Sequence, residues 1–264
     1  MENIVLSTFV KQNVEMYDVV ISNVEFVTEG YKKGLLESDF NYDALCAYYV
    51  DFADELILFD GFKGFLFKSR NNAKIKKIIV DGFTKLELND HLKVFEDYLE
   101  LIKEYDNTDI YELEGNVNLD FHNLNSRYRL LDSSEVEDKN GRFLLENSKT
   151  IFLDKAGREK YIEKYINNLD NKEKEIRKEA LLSKQPQYIK DIVFLCEYLN
   201  EDLEEIKKAS LDRFNYHINL CFYFTTKTHK NYYYVDLGYE IVLLNEKDEE
   251  IRRFSRQQHK LLKG

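Results

Sequence analysis

Apolar residues recur at steps of three and four through most of the chain, the spacing of helices that bury one face. Residues 4–35 read as one such helix, with Val10, Val14, Tyr17, Ile21, Val24 and Val27 on a shared stripe. Residues 42–59 predict a second helix. Leu45, Tyr49, Phe52 and Leu56 lie along it, and Asp51, Asp54 and Glu55 face elsewhere. Asp60-Gly61 then ends that helix, because glycine tolerates the left-handed backbone of a sharp turn. Phe62, Phe65 and Leu66 fit the apolar face of a short helix, with Gly64 placed to admit a second backbone. The next helix carries Ile75, Ile78, Ile79, Gly82 and Phe83, with Lys74, Lys76 and Lys77 on the wet side. Asn89 is a fitting N-cap for the one after it, which keeps Leu92, Phe95, Leu99 and Ile102 together.

Further helices are predicted over 119–131, 157–169, 172–183, 187–199 and 203–211, with a polar break at 133–141. Pro186 stands where a proline suits a helix start. The period then changes. Tyr216, Ile218, Leu220, Phe222 and Phe224 alternate with polar or smaller positions, which predicts a strand. Residues 232–244, interrupted near Gly238, read as one long or two short strands, and 249–254 as another. The fold class is therefore α+β and mainly α, a helical body over 1–210 followed by a small C-terminal antiparallel meander. The expected domains are a helical unit over 1–170 and, over 171–264, a helical extension plus the meander.

Composition fits a packed core. Of 264 residues, 44% are hydrophobic, and 19 Tyr and 18 Phe stand beside no Trp. A single proline leaves long helices unbroken. The formal net charge of -11 opposes direct nucleic-acid binding, because phosphates would be repelled, and it suits a cationic partner. Three scattered cysteines make neither a disulfide framework nor a zinc site. No basic leader precedes Ile4 and no run approaches eighteen apolar residues, so a cytoplasmic protein without a membrane partner is expected.

No motif in the chain names a reaction. Asp60-Gly61-Phe62-Lys63-Gly64 lacks the spacing of a phosphate loop, and helices flank it where a strand should precede. His91, His122, His217, His229 and His259 are dispersed, so no metal and no cofactor is expected. Cys46 sits among Leu45, Ala47 and Tyr48 without a histidine beside it, and there is no serine elbow.

Charge segregation is the feature with functional content. Between Glu87 and Asp120, eleven acids stand against Lys93 and Lys103. Residues 61–86 reverse this, with seven bases against Asp81. The plain account of the acidic block is a solvated helix surface. The sharper one is a row of carboxylates that competes with the phosphates of DNA for a basic protein. In that row Glu96, Asp97, Glu100 and Glu104 supply the charge, and Asp106, Asp109, Glu112 and Glu114 extend it.

Residues 42 to about 168 resemble the acidic DNA-mimic protein family. The resemblance rests on Tyr48-Tyr49-Val50-Asp51, on Phe59-Asp60-Gly61-Phe62 and on Phe65-Leu66-Phe67-Lys68-Ser69. Gly82-Phe83 and the helix from Leu92 to Ile102 follow in the family's order. Phe59 and Asp60 stand where the family pattern has Asn and Gly, and Lys68 where it has Asn. The resemblance implies a non-enzymatic, mostly helical binding protein, dimeric in the homodimer sense, whose acids imitate DNA toward a DNA-binding partner. It also implies an immunity or accessory role.

Three functional expectations follow. The first is an acidic binding protein, a DNA mimic in the broad sense, that occupies the basic surface of a partner. The second is an immunity-type inhibitor that recognises a toxin through exposed meander positions such as Tyr223 and Tyr233. The third is an enzyme with a carboxylate site in a pocket, marked by clustered acids of raised pKa.

Overall fold

The computed structural model describes residues 1–12, 14–105, 120–183, 185–211 and 220–255. The chain divides into two compact units, Met1–Lys174 and Glu175–Gly264.

The first unit begins with a strand where the apolar spacing predicts helix. Ile4–Ser7 (β1) pairs in parallel with Thr150–Leu153 (β2), register Ile4 to Thr150 through Ser7 to Leu153. Ile4, Val5 and Leu6 are fully buried. A short buried strand is apolar throughout and carries no period of two, so it cannot be told from a helix edge. A short 3-10 turn, Thr8–Lys11, separates β1 from Met16–Lys32 (α1). The buried face of α1 is Val19, Val20, Ser22, Asn23, Phe26, Val27 and Gly30, whereas Val14 and Tyr17 of the expected stripe are more than half exposed.

Tyr42–Lys68 (α2) is the central rod. Asn41 caps it by accepting from the Asp43 and Ala44 amides. It is broken where the sequence predicts, at Gly61, whose φ of 70° lies in the region open to glycine. The Phe62 amide, freed by that break, donates to Asn125 Oδ1 at 2.8 Å. A Cβ on Gly61 would meet the same Asn125 side chain at 2.8 Å. Two further asparagines hold the first half of the rod: Asn23 donates to the Ala44 carbonyl and Asn140 to the Ala47 carbonyl, at 2.9 and 3.0 Å. The close approach expected at Gly64 occurs instead at Gly82, where a Cβ would lie 3.1 Å from the Cys46 carbonyl oxygen.

Ala73–Lys85 (α3) and Asn89–Ile102 (α4) follow, each packed on its predecessor. The cap belongs to Asn72 of α3, which accepts from two amides; Asn89 is already inside α4 and makes no cap bond. Lys76 is not on the wet side of α3. It is 5% exposed and donates to Asn71 Oδ1 at 3.0 Å. His122–Arg129 (α5) lies on α2 and α4.

Ser133–Glu146 (α6) replaces the expected polar break. Its buried residues are Val136, Asn140, Gly141 and Leu144, so an amide and a glycine occupy half the face that an apolar pattern would mark. Lys155–Asn167 (α7) is capped by Asp154. Aromatic rings run through a core that is otherwise aliphatic. Phe62 stacks on Tyr98 at 4.8 Å and meets Tyr128 edge-on at 5.7 Å, and Phe65 meets Phe95 at 5.6 Å.

Asn171–Ser183 (α8) spans the division between the units and has no buried residue. In the second unit, Gln187–Leu199 (α9) packs on a five-stranded antiparallel sheet. The strands are Leu203–Leu211 (β3), Leu220–Thr226 (β4), Asn231–Asp236 (β5), Glu240–Asn245 (β6) and Glu250–Ser255 (β7), in sequential order. The meander is therefore larger than predicted, and the helical body stops before 203. The segment 203–211 is a strand, not a helix, and it pairs with β4 from Leu203–Thr226 to Leu211–Leu220. Two register shifts in that pairing disturb the alternation that would have marked it. Positions 216–219 of the expected first strand lie outside the described residues. One face of the sheet buries Phe222, Phe224, Tyr234, Ile241 and Leu243 against Ile192, Leu195 and Cys196 of α9. Asp191 is fully buried there and accepts from Tyr234 Oη and Gln187 Nε2, both at 2.7 Å. The fold is α+β and mainly α.

Candidate functional site

Helix α4 separates its two faces cleanly. His91, Val94, Phe95, Tyr98 and Ile102 are buried, and Leu92 and Leu99 are half-buried against the same core. The opposite stripe presents Glu96, Asp97 and Glu100, all exposed. Residues four apart on a helix are neighbours, so Glu96 and Glu100 stand one turn apart.

Two of the three acids have a counter-charge within the molecule. Asp97 Oδ2 lies 2.7 Å from Arg127 Nη2 of α5, and Glu100 Oε2 lies 3.1 Å from Lys103 Nζ. Both pairs are solvent-exposed, and exposed pairs of this kind contribute about 0–1 kcal/mol, so an incoming cation can displace them. The 3-10 turn that follows α4, Lys103–Tyr105, is held by Asn71, which donates to the Tyr105 carbonyl at 2.8 Å.

The rest of the expected row is described less far. Glu104 falls in the 3-10 turn Lys103–Tyr105, and its side chain lies outside the described residues. Asp106, Asp109, Glu112 and Glu114 also lie outside them.

A second group of acids, which the sequence places off the apolar stripe of α2, behaves differently. Asp54 is 9% exposed and accepts from Tyr128 Oη at 2.9 Å. Burial pushes its carboxyl up to about 6, against the Tyr128 hydrogen bond and with Glu55 adding repulsion. Burial likewise pushes Asp51 up to about 7, with the carboxylates of Glu55, Asp54 and Glu137 adding to the rise. Neither aspartate lines either of two clefts on the described surface. One, of about 270 Å³, is lined by Glu37, Tyr42, Leu45, Lys74, Lys77 and Ile78. The other, of about 460 Å³, lies at the end of α9 beside Glu201. Burial would raise the Glu201 carboxyl, but the bonds it accepts from Lys230, Thr226 and Thr228 together outweigh that and hold it down to about 2.

The other chemical candidates resolve as follows. Cys46, Cys196 and Cys221 are buried, and burial pushes the Cys46 and Cys196 thiols up to about 12. His91 is 1% exposed between Phe83 and Tyr128. Among the described residues, no group of three His, Cys, Asp or Glu side chains could hold a metal ion. No described helix is long and apolar enough to cross a membrane. Tyr223 and Tyr233 stand side by side on β4 and β5 with ring centroids 5.1 Å apart, half-buried and not fully exposed.

Residues 38–147 match a family model described as DMP19-like protein. The match covers α2 to α6, and so takes in both groups of acids; it stops short of the resemblance expected to about 168. No curated protein matches the chain, and no solved structure does. The chain is similar to the DMP19-like family over this helical stretch.

Proposed function

We propose that this protein is a non-enzymatic acidic binding protein, a DNA mimic in the broad sense, whose α4 face engages the basic surface of a DNA-binding partner. The observation that carries this reading is the placement of Glu96, Asp97 and Glu100 together on an exposed stripe inside the stretch that matches the DMP19-like model. One helical turn separates Glu96 from Glu100 by about 6 Å along the axis. That is the span of about two nucleotide steps along one strand, at about 3.4 Å each. A basic groove that tracks phosphates can therefore meet these two carboxylates in place of about every second phosphate along the axis. With a net charge of -11 the chain itself repels nucleic acid, so its partner is protein.

The test is capture from cell extract on wild type and on a variant with Glu96→Gln, Asp97→Asn, Glu100→Gln and Glu104→Gln, each column eluted with duplex DNA. A basic protein released by DNA from the wild type and lost by the variant is expected. The paired tyrosines Tyr223 and Tyr233 favour a second reading, an immunity-type inhibitor that docks a toxin on the meander. A partner held equally by both columns and unmoved by DNA would replace the first reading with that one.

A further inference from the structure

The cleft of about 270 Å³ in the helical unit is enclosed by three pieces of chain. They are the 3-10 turn Glu37–Asp39, the first turn of α2 with Tyr42 and Leu45, and the start of α3 with Lys74, Lys77 and Ile78. Leu45 and Ile78 are 2% and 3% exposed and give the cleft an apolar floor. Tyr42 is its wall. Its ring is 42% exposed yet held in place, because its hydroxyl donates to Asp81 Oδ2 at 2.5 Å and Lys85 Nζ lies 5.0 Å from the ring centre. A wall fixed before anything binds has little ordering left to lose.

The rim is cationic. Lys74 and Lys77 are three apart on α3, so they stand on one side of the helix. Lys74 Nζ lies 3.5 Å from Glu37 Oε2, a loose and exposed pair that a better anion displaces. Lys77 is exposed and makes no ion pair among the described residues. The seven bases of residues 61–86 against Asp81 make this a part of an acidic chain where an anion is not repelled.

An apolar floor with a free cation at its mouth defines the ligand by chemistry. We infer that this cleft binds a small amphipathic carboxylate, a one- or two-ring acid whose apolar body lies on Leu45, Ile78 and Tyr42. Its carboxylate meets Lys77, with Lys74 beside it. Size and charge both narrow the class. The volume falls just under the roughly 300 Å³ at which sites for drug-sized ligands begin, which excludes a nucleotide. Two lysines offset by Glu37 leave one positive charge, which balances a carboxylate and not the double charge of a phosphate monoester. The inference shares no residue with the α4 stripe and stands apart from the acidic-binder reading.

The test is calorimetric titration of the full chain with three probes: 2-naphthoate, its neutral counterpart 2-naphthamide, and acetate. Naphthoate is expected to saturate a single site, and naphthamide to bind it more weakly by on the order of tenfold. Acetate, a head without a body, is expected not to saturate over the same range. Lys74→Gln/Lys77→Gln is expected to abolish the difference between acid and amide, and added salt to narrow it. Tyr42→Leu is expected to weaken both naphthyl compounds. Lys77→Gln alone, at an exposed position, gives a smaller loss of the same sign and keeps the test open if the double variant does not fold.

Equal binding of acid and amide by wild type overturns the inference, as does an absence of saturable naphthoate binding. A preference for the acid that survives Lys74→Gln/Lys77→Gln overturns it by moving the site elsewhere. Unchanged binding in Tyr42→Leu overturns the placement of the apolar body.

Discussion

Two groups of aspartates and glutamates lie within the same helical unit, and their settings are opposite. On α4, Glu96, Asp97 and Glu100 stand in water beside Arg127 and Lys103. On α2, Asp54 is buried against Tyr128, and Asp51 sits among the carboxylates of Glu55, Asp54 and Glu137. The first group is charged surface that a partner can reach. The second holds its protons into the neutral range and belongs to the packing. A count of acids along the chain treats the two alike, so net charge overstates the surface available for recognition.

The largest difference between the groups is in how stability depends on pH. Asp54 and Asp51 rise from an ordinary 3.8 to about 6 and about 7 in the folded chain. Between those limits the native state holds protons that the unfolded state has released, so stability falls as pH rises through the window and stays low above it. The rise at Asp54, from 3.8 to about 6, corresponds to about 3 kcal/mol, with a further contribution of the same sign from Asp51. Urea unfolding from about pH 4 to about pH 8 should show this decline, and Asp51→Asn/Asp54→Asn should flatten it. A curve of the same slope in the variant would place the titrating groups elsewhere.

A smaller effect tests the Tyr128 hydrogen bond. Tyr128→Phe removes the donor that favours the ionised carboxylate, so it should destabilise by about 1–2 kcal/mol above neutral pH. The same change should cost less near pH 4, where Asp54 is protonated. An equal loss at both ends of the range would show that what the hydroxyl contributes does not depend on the charge of Asp54.

The α4 group should barely register in stability. Glu96→Gln with Glu100→Gln is expected to shift unfolding by no more than about 0.5 kcal/mol. Arg127→Ala should cost less than about 1 kcal/mol, because the pair it breaks is exposed. It should also strengthen binding of a cationic peptide by freeing Asp97, which calorimetric titration can check. A stability loss of several kcal/mol from any of these would make the acidic stripe part of the fold.

Much of the helical layout is legible in the sequence because long amphipathic segments announce themselves. Residues 73–85, 171–183 and 187–199 are helices close to where periodicity puts them, and the break at Gly61 follows from its residue type. The misread stretches share a cause. Ile4–Ser7 pairs with a strand about a hundred and forty residues away, and nothing local marks a short buried strand. Helix α6 buries Asn140 and Gly141, and β3 carries register shifts, so each hides its own period.

The buried charges left a readable trace. Ala47, Val50, Asp54, Ile57 and Gly61 are spaced by three and four, and Lys76, Ile79, Phe83 and Leu86 likewise. A charged residue in step with an apolar stripe is a candidate for burial. The exposure of Glu96 and Glu100 was legible by the converse rule. Their counter-charge at Arg127 was not, since it comes from another helix.

The central claim is that the carboxylates of α4, and not those of α2, are available to a cationic partner. The most direct measurement is the affinity of an oligolysine peptide between about 0.05 and about 0.3 M salt, a range over which screening of exposed charges tightens. It compares wild type, Glu96→Gln/Asp97→Asn/Glu100→Gln and Asp51→Asn/Asp54→Asn. The account predicts that the salt dependence becomes shallower in the α4 variant and stays as in wild type in the α2 variant. An α4 variant that keeps the wild-type affinity and salt dependence would contradict it.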